Sequence, residues 1–256
     1  MIAKYKETHV FYTDKGKGQV IVLLHGFLEN QTMWNKISEE LSKRNRVIAV
    51  DLLGHGKTGN IGYIHLMEEM AQAVQSVLKK NKIRRSYFIG HSMGGYVALA
   101  FVNLYPKNVK GICLLNSTSQ ADSIERKNIR KGANEVAKKQ LGKLIKLSFS
   151  NLFAKDSKEV FSEEIKDALQ QAQNTSLRGY IAASSGMMLR RNNEEALIQV
   201  EKRAIIAGKK DPVLSYGSIL NEAERTQTLL IEFPNGHMSH IEDREPLIKF
   251  LKKFVK

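Results

Sequence analysis

Two rhythms of apolar residues alternate along most of the chain. HVFYTD (9–14), QVIVLLHG (19–26), RVIAVD (46–51), SYFIGH (86–91), GICLLN (111–116), KRAIIAG (202–208) and TLLIEF (228–233) are short, apolar and rich in β-branched or aromatic residues, and they read as strands. Between them NKISEELSKR (35–44), HLMEEMAQAVQSVLKK (65–80), SMGGYVALAFVNLYP (92–106), GSILNEAER (217–225) and EPLIKFLKKFV (245–255) read as helices, the third ended by Pro106. The first two strands are expected to form a pair across the glycine-rich DKGKG turn. Strand and helix in alternation predict an α/β domain whose sheet is largely parallel, with right-handed crossovers.

The rhythm breaks at 117–196, where no strand pattern occurs and the segments are polar and helical. The expected organisation is an α/β core, 1–116 plus 197–256, carrying a helical insertion at 117–196. No internal repeat is visible.

Gly90-His91-Ser92-Met93-Gly94-Gly95 falls directly between a predicted strand and a predicted helix. That is the G-x-S-x-G pattern, in which small residues let strand and helix approach while a tight turn lifts a serine hydroxyl clear of the backbone. At a helix N-terminus, Ser92 also meets a dipole that favours developing negative charge. A serine needs a histidine to take its proton, and the histidine needs a carboxylate to fix its tautomer. Both are expected later in the chain, acid before base, on loops after strands. Asp211, in GKKDPV, follows the 202–208 strand, and His237, in NGHMSHIE, follows the 228–233 strand. His240 is the competing base, but Gly236 gives His237 the freer loop, which leaves His240 at the pocket rim or in the layer of residues behind it.

An acyl-transfer site also needs two N–H donors for an oxyanion. Met93, next after the serine, supplies one, and Phe27, in HGF after the 19–26 strand, the other. Leu28, Trp34, Tyr96, Met187 and His240 are candidate pocket residues. Other motifs explain less. Gly56-Lys57-Thr58 lacks the first glycine of a phosphate-binding loop, since Asp51 stands there. Asp51 and His55 are expected to brace their loop, Cys113 to pack in the core and His91 to pack beneath the serine turn. No residue set suggests a metal site, and the chemistry calls for no cofactor.

Taken together, LLHGFLEN (23–30), VIAVDLLGHGKT (47–58), GHSMGG (90–95), GKKDPV (208–213) and NGHMSHIE (235–242) resemble the α/β-hydrolase fold superfamily, in order and nearly from end to end. The resemblance implies a mostly parallel eight-stranded sheet flanked by helices, a Ser-Asp-His triad and a helical cap over the pocket. It is nearest in flavour to small carboxylesterases, enol-lactonases and the menaquinone-pathway lyase that makes a succinyl-cyclohexadiene carboxylate. The reading it supports is a carboxylesterase-like serine hydrolase of small esters, lactones or thioesters. The alternatives are that lyase on the same triad, whose usual arginine after the serine turn is replaced here by Tyr96, and a non-catalytic small-molecule-binding protein of the same fold.

Composition changes this picture little. The 256 residues carry a formal charge of +14, but basic residues form no arm or tail, which argues against a nucleic-acid partner. One cysteine cannot form an internal disulfide, and no apolar run is long enough to span a membrane. A cytoplasmic monomer or homodimer acting on a small molecule, with no membrane partner, is expected.

Overall fold

The computed structural model describes residues 1–256. Eight strands form one sheet: β1 (Ile2–Tyr5), β2 (Thr8–Lys15), β3 (Gln19–Leu24), β4 (Asn45–Val50), β5 (Ser86–His91), β6 (Val109–Leu115), β7 (Arg203–Gly208) and β8 (Leu229–Phe233). Their spatial order is β1-β2-β4-β3-β5-β6-β7-β8, with β1 and β2 antiparallel to their neighbours and the remaining pairs parallel.

The continuous apolar runs of the inner strands follow from burial on both faces. Ile21 and Leu23 of β3 point into one core, while Val22 and Leu24 point into the other. The same alternation places Phe88 and Ile89 of β5, and Cys113 and Leu114 of β6, on opposite sides. One side is covered by α1 (Asn35–Leu41) and α11 (Arg244–Phe254), through Ile37, Leu41, Leu247, Leu251 and Phe254. The other is covered by α2 (Met67–Lys80) and α3 (Met93–Leu104), through Met70, Val74, Val97 and Phe101.

Two sequence expectations are corrected at the sheet's edge. β2 and β3 do not pair: β4 lies between them, antiparallel to β2 (Tyr12 opposite Val50) and parallel to β3 (Leu24 opposite Val50). The glycine-rich connection therefore crosses the end of β4, where Gly16, at φ 77°, leaves no room for a side chain against the Ser42 and Asn45 carbonyls. β1 is an additional edge strand whose pattern buries a single residue, Ala3, too little for alternation to register.

Between β6 and β7 the chain is helical: α4 (Ile124–Ser150), α5 (Ser157–Val160), α6 (Ser162–Gln173), α7 (Leu177–Leu189) and α8 (Glu194–Ile198). α4 is broken at Gln140, where φ and ψ are −148° and 52°. A third apolar cluster joins this segment to the loops beyond β3 and β8, with Phe149, Phe153 and Tyr180 packed against Leu28, Met238 and Ile241. α8 turns back and packs on α3. After β7 come α9 (Tyr216–Arg225) and α10 (Ser239–Glu242). No helix is long and apolar enough to cross a membrane.

Candidate active site

Ser92 occupies the turn between β5 and α3 at φ 47° and ψ −113°, a backbone conformation that costs an L-residue on the order of 1–3 kcal/mol. The turn is held from three sides. The Ser92 N–H donates to the Leu115 carbonyl (3.0 Å), and the Ser92 carbonyl accepts from the Gly95 N–H (2.9 Å) and Ser117 Oγ (2.7 Å). A Cβ on Gly94 would overlap the Leu24 carbonyl, so glycine here is what lets α3 start so close to β3.

His237 Nε2 lies 3.0 Å from Ser92 Oγ, and Nδ1 lies 2.7 Å from Asp211 Oδ2. Asp211 Oδ1 accepts the Val213 and Leu214 N–H groups (2.8 and 3.0 Å), and Asn116 Nδ2 donates to Oδ2 (3.3 Å). Burial alone would raise the Asp211 pKa, but the adjacent His237 and these donors outweigh it and leave the carboxyl below its ordinary range. The order is therefore carboxylate, imidazole, hydroxyl, with Asp211 fixing the ring so that Nε2 faces the serine.

The loop carrying His237 is fixed by a residue that sequence reasoning passed over. Glu242, buried on α10, accepts N–H groups from Ala154 (2.9 Å), Gly236 (3.2 Å) and Met238 (3.0 Å), while the His237 N–H donates to the Leu152 carbonyl (3.0 Å). The α4–α7 segment is thereby tied to the histidine loop through Leu152 and Ala154.

Beneath the site lies a buried polar cluster. Glu29 Oε2 accepts the Gly26 N–H (2.9 Å) and lies 2.6 Å from His91 Nδ1, while Oε1 is 3.4 Å from His240 Nε2. His91 Nε2 donates to the His237 carbonyl (2.9 Å). A Cβ on Gly26 would sit 2.6 Å from His91 Nδ1, which makes this glycine a requirement of the cluster. Burial opposes the charge on Glu29, but His91 and then His240 overcome it and hold the carboxyl at about 2. Burial likewise opposes the charge on His91, and Glu29 reverses it, raising the His91 pKa. His240 is pushed down to about 3, chiefly by burial, so His91 carries the proton of this cluster. Both of its ring nitrogens then donate, one to Glu29 and one to the main chain of His237.

A cavity of about 200 Å³ opens over Ser92 and His237. Three of the candidate pocket residues, Leu28, Tyr96 and Met187, line it together with Phe27, and the helical segment adds Phe149 and Tyr180. The Phe27 and Met93 amides make no hydrogen bond within the protein, and Leu28, beside Phe27, sits in the left-handed region at φ 67°. Two expected pocket residues lie elsewhere. Trp34 is fully buried between α1 and the sheet, because an indole preceding an amphipathic helix packs on that helix's apolar face. His240 is not on the pocket wall but takes its other expected place, behind Glu29, where it lines a separate cavity of about 380 Å³ that does not reach Ser92. Asp51 braces its loop through the Gln31 and Lys57 N–H groups (2.7 and 2.8 Å), and Cys113 is a buried core thiol whose pKa burial raises.

A family model described as alpha/beta hydrolase fold matches residues 19–244. An AB hydrolase superfamily protein of Bacillus subtilis, YisY, is 28% identical over 97% of this chain and 96% of its own. Uncharacterized proteins of Mycobacterium tuberculosis and Mycobacterium bovis are 35% identical over 102 residues, which is 40% of this chain but only 30% of theirs. Among solved structures, a thermophilic esterase from Thermogutta terrifontis superposes with a TM-score of 0.90 at 26% identity, over 99% of this chain and 97% of that one. The enol-lactonase from Burkholderia xenovorans shares the fold with a TM-score of 0.92 at 21% identity, over 100% and 99% of the two chains.

Proposed function

The chain belongs to the α/β hydrolase fold family, and from that premise we propose that it is a serine hydrolase of small carboxylic esters, lactones or thioesters. One observation carries the reading: Asp211, His237 and Ser92 form an unbroken hydrogen-bonded series, 2.7 and 3.0 Å, that ends on a hydroxyl in a cavity.

Ser92 Oγ adds to the acyl carbon as His237 Nε2 takes its proton. The resulting oxyanion lies against the Phe27 and Met93 amides, which have no competing acceptor in the protein. Collapse breaks the bond from the acyl carbon to the leaving oxygen or sulfur, and His237 returns the proton to that group. Water, deprotonated by the same nitrogen, then adds to the acyl carbon, and the acid leaves as Ser92 regains its hydrogen. Asp211 stays ionised throughout, as its lowered pKa requires. The α4–α7 segment acts as a cap, supplying the apolar walls Phe149, Tyr180 and Met187.

Hydrolysis of short p-nitrophenyl esters tests the assignment. Ser92→Ala is expected to lower kcat by on the order of 10⁴-fold or more, down to catalysis from binding and the amides alone. Hydrolysis by Ser92→Ala near the wild-type rate would overturn it.

A further inference from the structure

The cap brings an excess of positive charge to the cavity. Arg126 and Arg130, one turn apart on α4, both line the wall that faces Ser92. Nearby, Arg130 Nε donates to Asp122 Oδ2 and Arg190 Nη1 to Asp122 Oδ1, each at 2.8 Å. Arg190 is fully committed: its side chain is 4% exposed, donates to the Met187 and Gln120 carbonyls (2.9 and 3.1 Å), and lies 3.8 Å over the Tyr96 ring. Asp122 therefore meets two arginines, one at each oxygen, and makes no ion pair with Arg126.

Arg126 has neither an ion pair nor a side-chain hydrogen bond in the protein, although it is half-buried. Burial, and then repulsion from Arg130, lower its pKa. The one acid on this cavity's wall, Glu29, is already taken by Gly26, His91 and His240. On the far side of Arg126 a second space of about 200 Å³ shares Tyr96, Arg126 and Val213 with the first and contains no acid but Asp122. A guanidinium part-stripped of water, with no ion-pair or hydrogen-bond partner in the protein and set beside a second arginine in a mostly apolar cavity wall, has its partner supplied from outside.

Resting on the hydrolase reading above, we propose that Arg126, supported by Arg130, is a carboxylate subsite, so that the substrate is an ester, lactone or thioester bearing a free carboxylate. A charge-assisted bond to a planar fork favours such an acid over its uncharged counterpart by on the order of 10- to 100-fold.

Two matched pairs of substrates test this. Monomethyl glutarate against methyl valerate carries the charge on the acyl side, and 4-acetoxybutyrate against butyl acetate carries it on the alcohol side. The expected result is a kcat/KM ratio, acid over neutral, of about 10 or more in at least one pair. That ratio should collapse toward one in Arg126→Gln, recover in part in Arg126→Lys, and shrink as salt is raised. Ratios near one in both pairs, or a ratio unchanged in Arg126→Gln, would overturn the subsite. Calorimetric binding of the two acids to Ser92→Ala protein separates the readings. Arg126-dependent binding upholds the subsite even if no ester is hydrolysed, which would sink the hydrolase assignment alone. Binding of neither acid, beside Ser92-dependent hydrolysis of neutral esters, sinks the subsite alone.

Discussion

Replacing Glu29 by Gln probes the cluster that seats His237. Glu29 is 6% exposed and ionised, and its carboxyl is held at about 2 against an ordinary 4.5. Burial works against that charge, so the lowering reflects what His91 and then His240 return. At about 1.4 kcal/mol per pH unit of displacement, ionised Glu29 contributes about 3 kcal/mol of folding stability at neutral pH. A folded pKa below the unfolded one means that this contribution is whole above pH 4.5 and lost as pH falls toward 2. Glu29→Gln keeps the shape, and its amide oxygen can still accept from Gly26, but the charge that holds the proton on His91 is gone. The variant should be less stable by about 3 kcal/mol at pH 7, a fall in Tm of roughly 6–12 °C for a chain of this size. Urea denaturation followed by circular dichroism at pH 7, 5 and 3.5 measures the difference, which should widen from 7 to 5, because the wild-type fold keeps the His91 proton that the variant's fold gives up, and stop widening by 3.5, where unfolded Glu29 is protonated as well. A difference that stays constant with pH, or one below about 1 kcal/mol at pH 7, would refute the assignment of an ionised Glu29–His91 pair.

Three further outcomes follow from the same structure. Asp211→Asn should lower kcat for a p-nitrophenyl ester by on the order of 10⁴-fold while KM changes little, because the carboxylate acts on the ring and not on bound substrate; initial-rate kinetics check this. Trp34→Ala removes a fully buried indole remote from Ser92 and should cost about 3–5 kcal/mol in urea denaturation while leaving KM unchanged, whereas a raised KM would return Trp34 to the pocket. Acid should destabilise the fold from pH 6.5 downward, because burial lowers the pKa of His25, His55, His65 and His240, with His55 and His240 at about 3. The unfolded chain takes those protons near 6.5 and the folded one refuses them, so stability drops as pH falls toward 3. His91 and Asp243, both raised, act in the opposite sense but are outnumbered, and Tm measured from pH 7 to pH 5 should decline.

What could be read from the sequence and what could not divides along physical lines. The inner strands were legible because burial on both faces demands continuous apolar runs, and the serine turn because its glycines meet backbone that nothing larger would clear. Asp211 and His237 could be placed by chain order alone, since each stands at the end of a strand. Sheet order is a different kind of fact: nothing in DKGKG says that β4 slides between β2 and β3. Trp34 and His240 share their residue types with pocket walls, and only packing sends them behind the sheet loops. Glu242 acts through backbone N–H groups, which leave no side-chain pattern to read, and Glu29 meets His91 and His240 only across more than 60 residues of chain. Arg126 is one of 40 basic residues, and it stands apart only once Asp122 is seen to be occupied by its neighbours.

The central claim is that Ser92 is the nucleophile. Treating the wild-type protein with a fluorophosphonate and digesting it for mass spectrometry should find one phosphonyl adduct, on the peptide that contains Ser92, with loss of ester hydrolysis in proportion to labelling and no adduct in Ser92→Ala. An unlabelled Ser92 in a protein that still hydrolyses esters, or stoichiometric labelling of a different residue, would contradict the account.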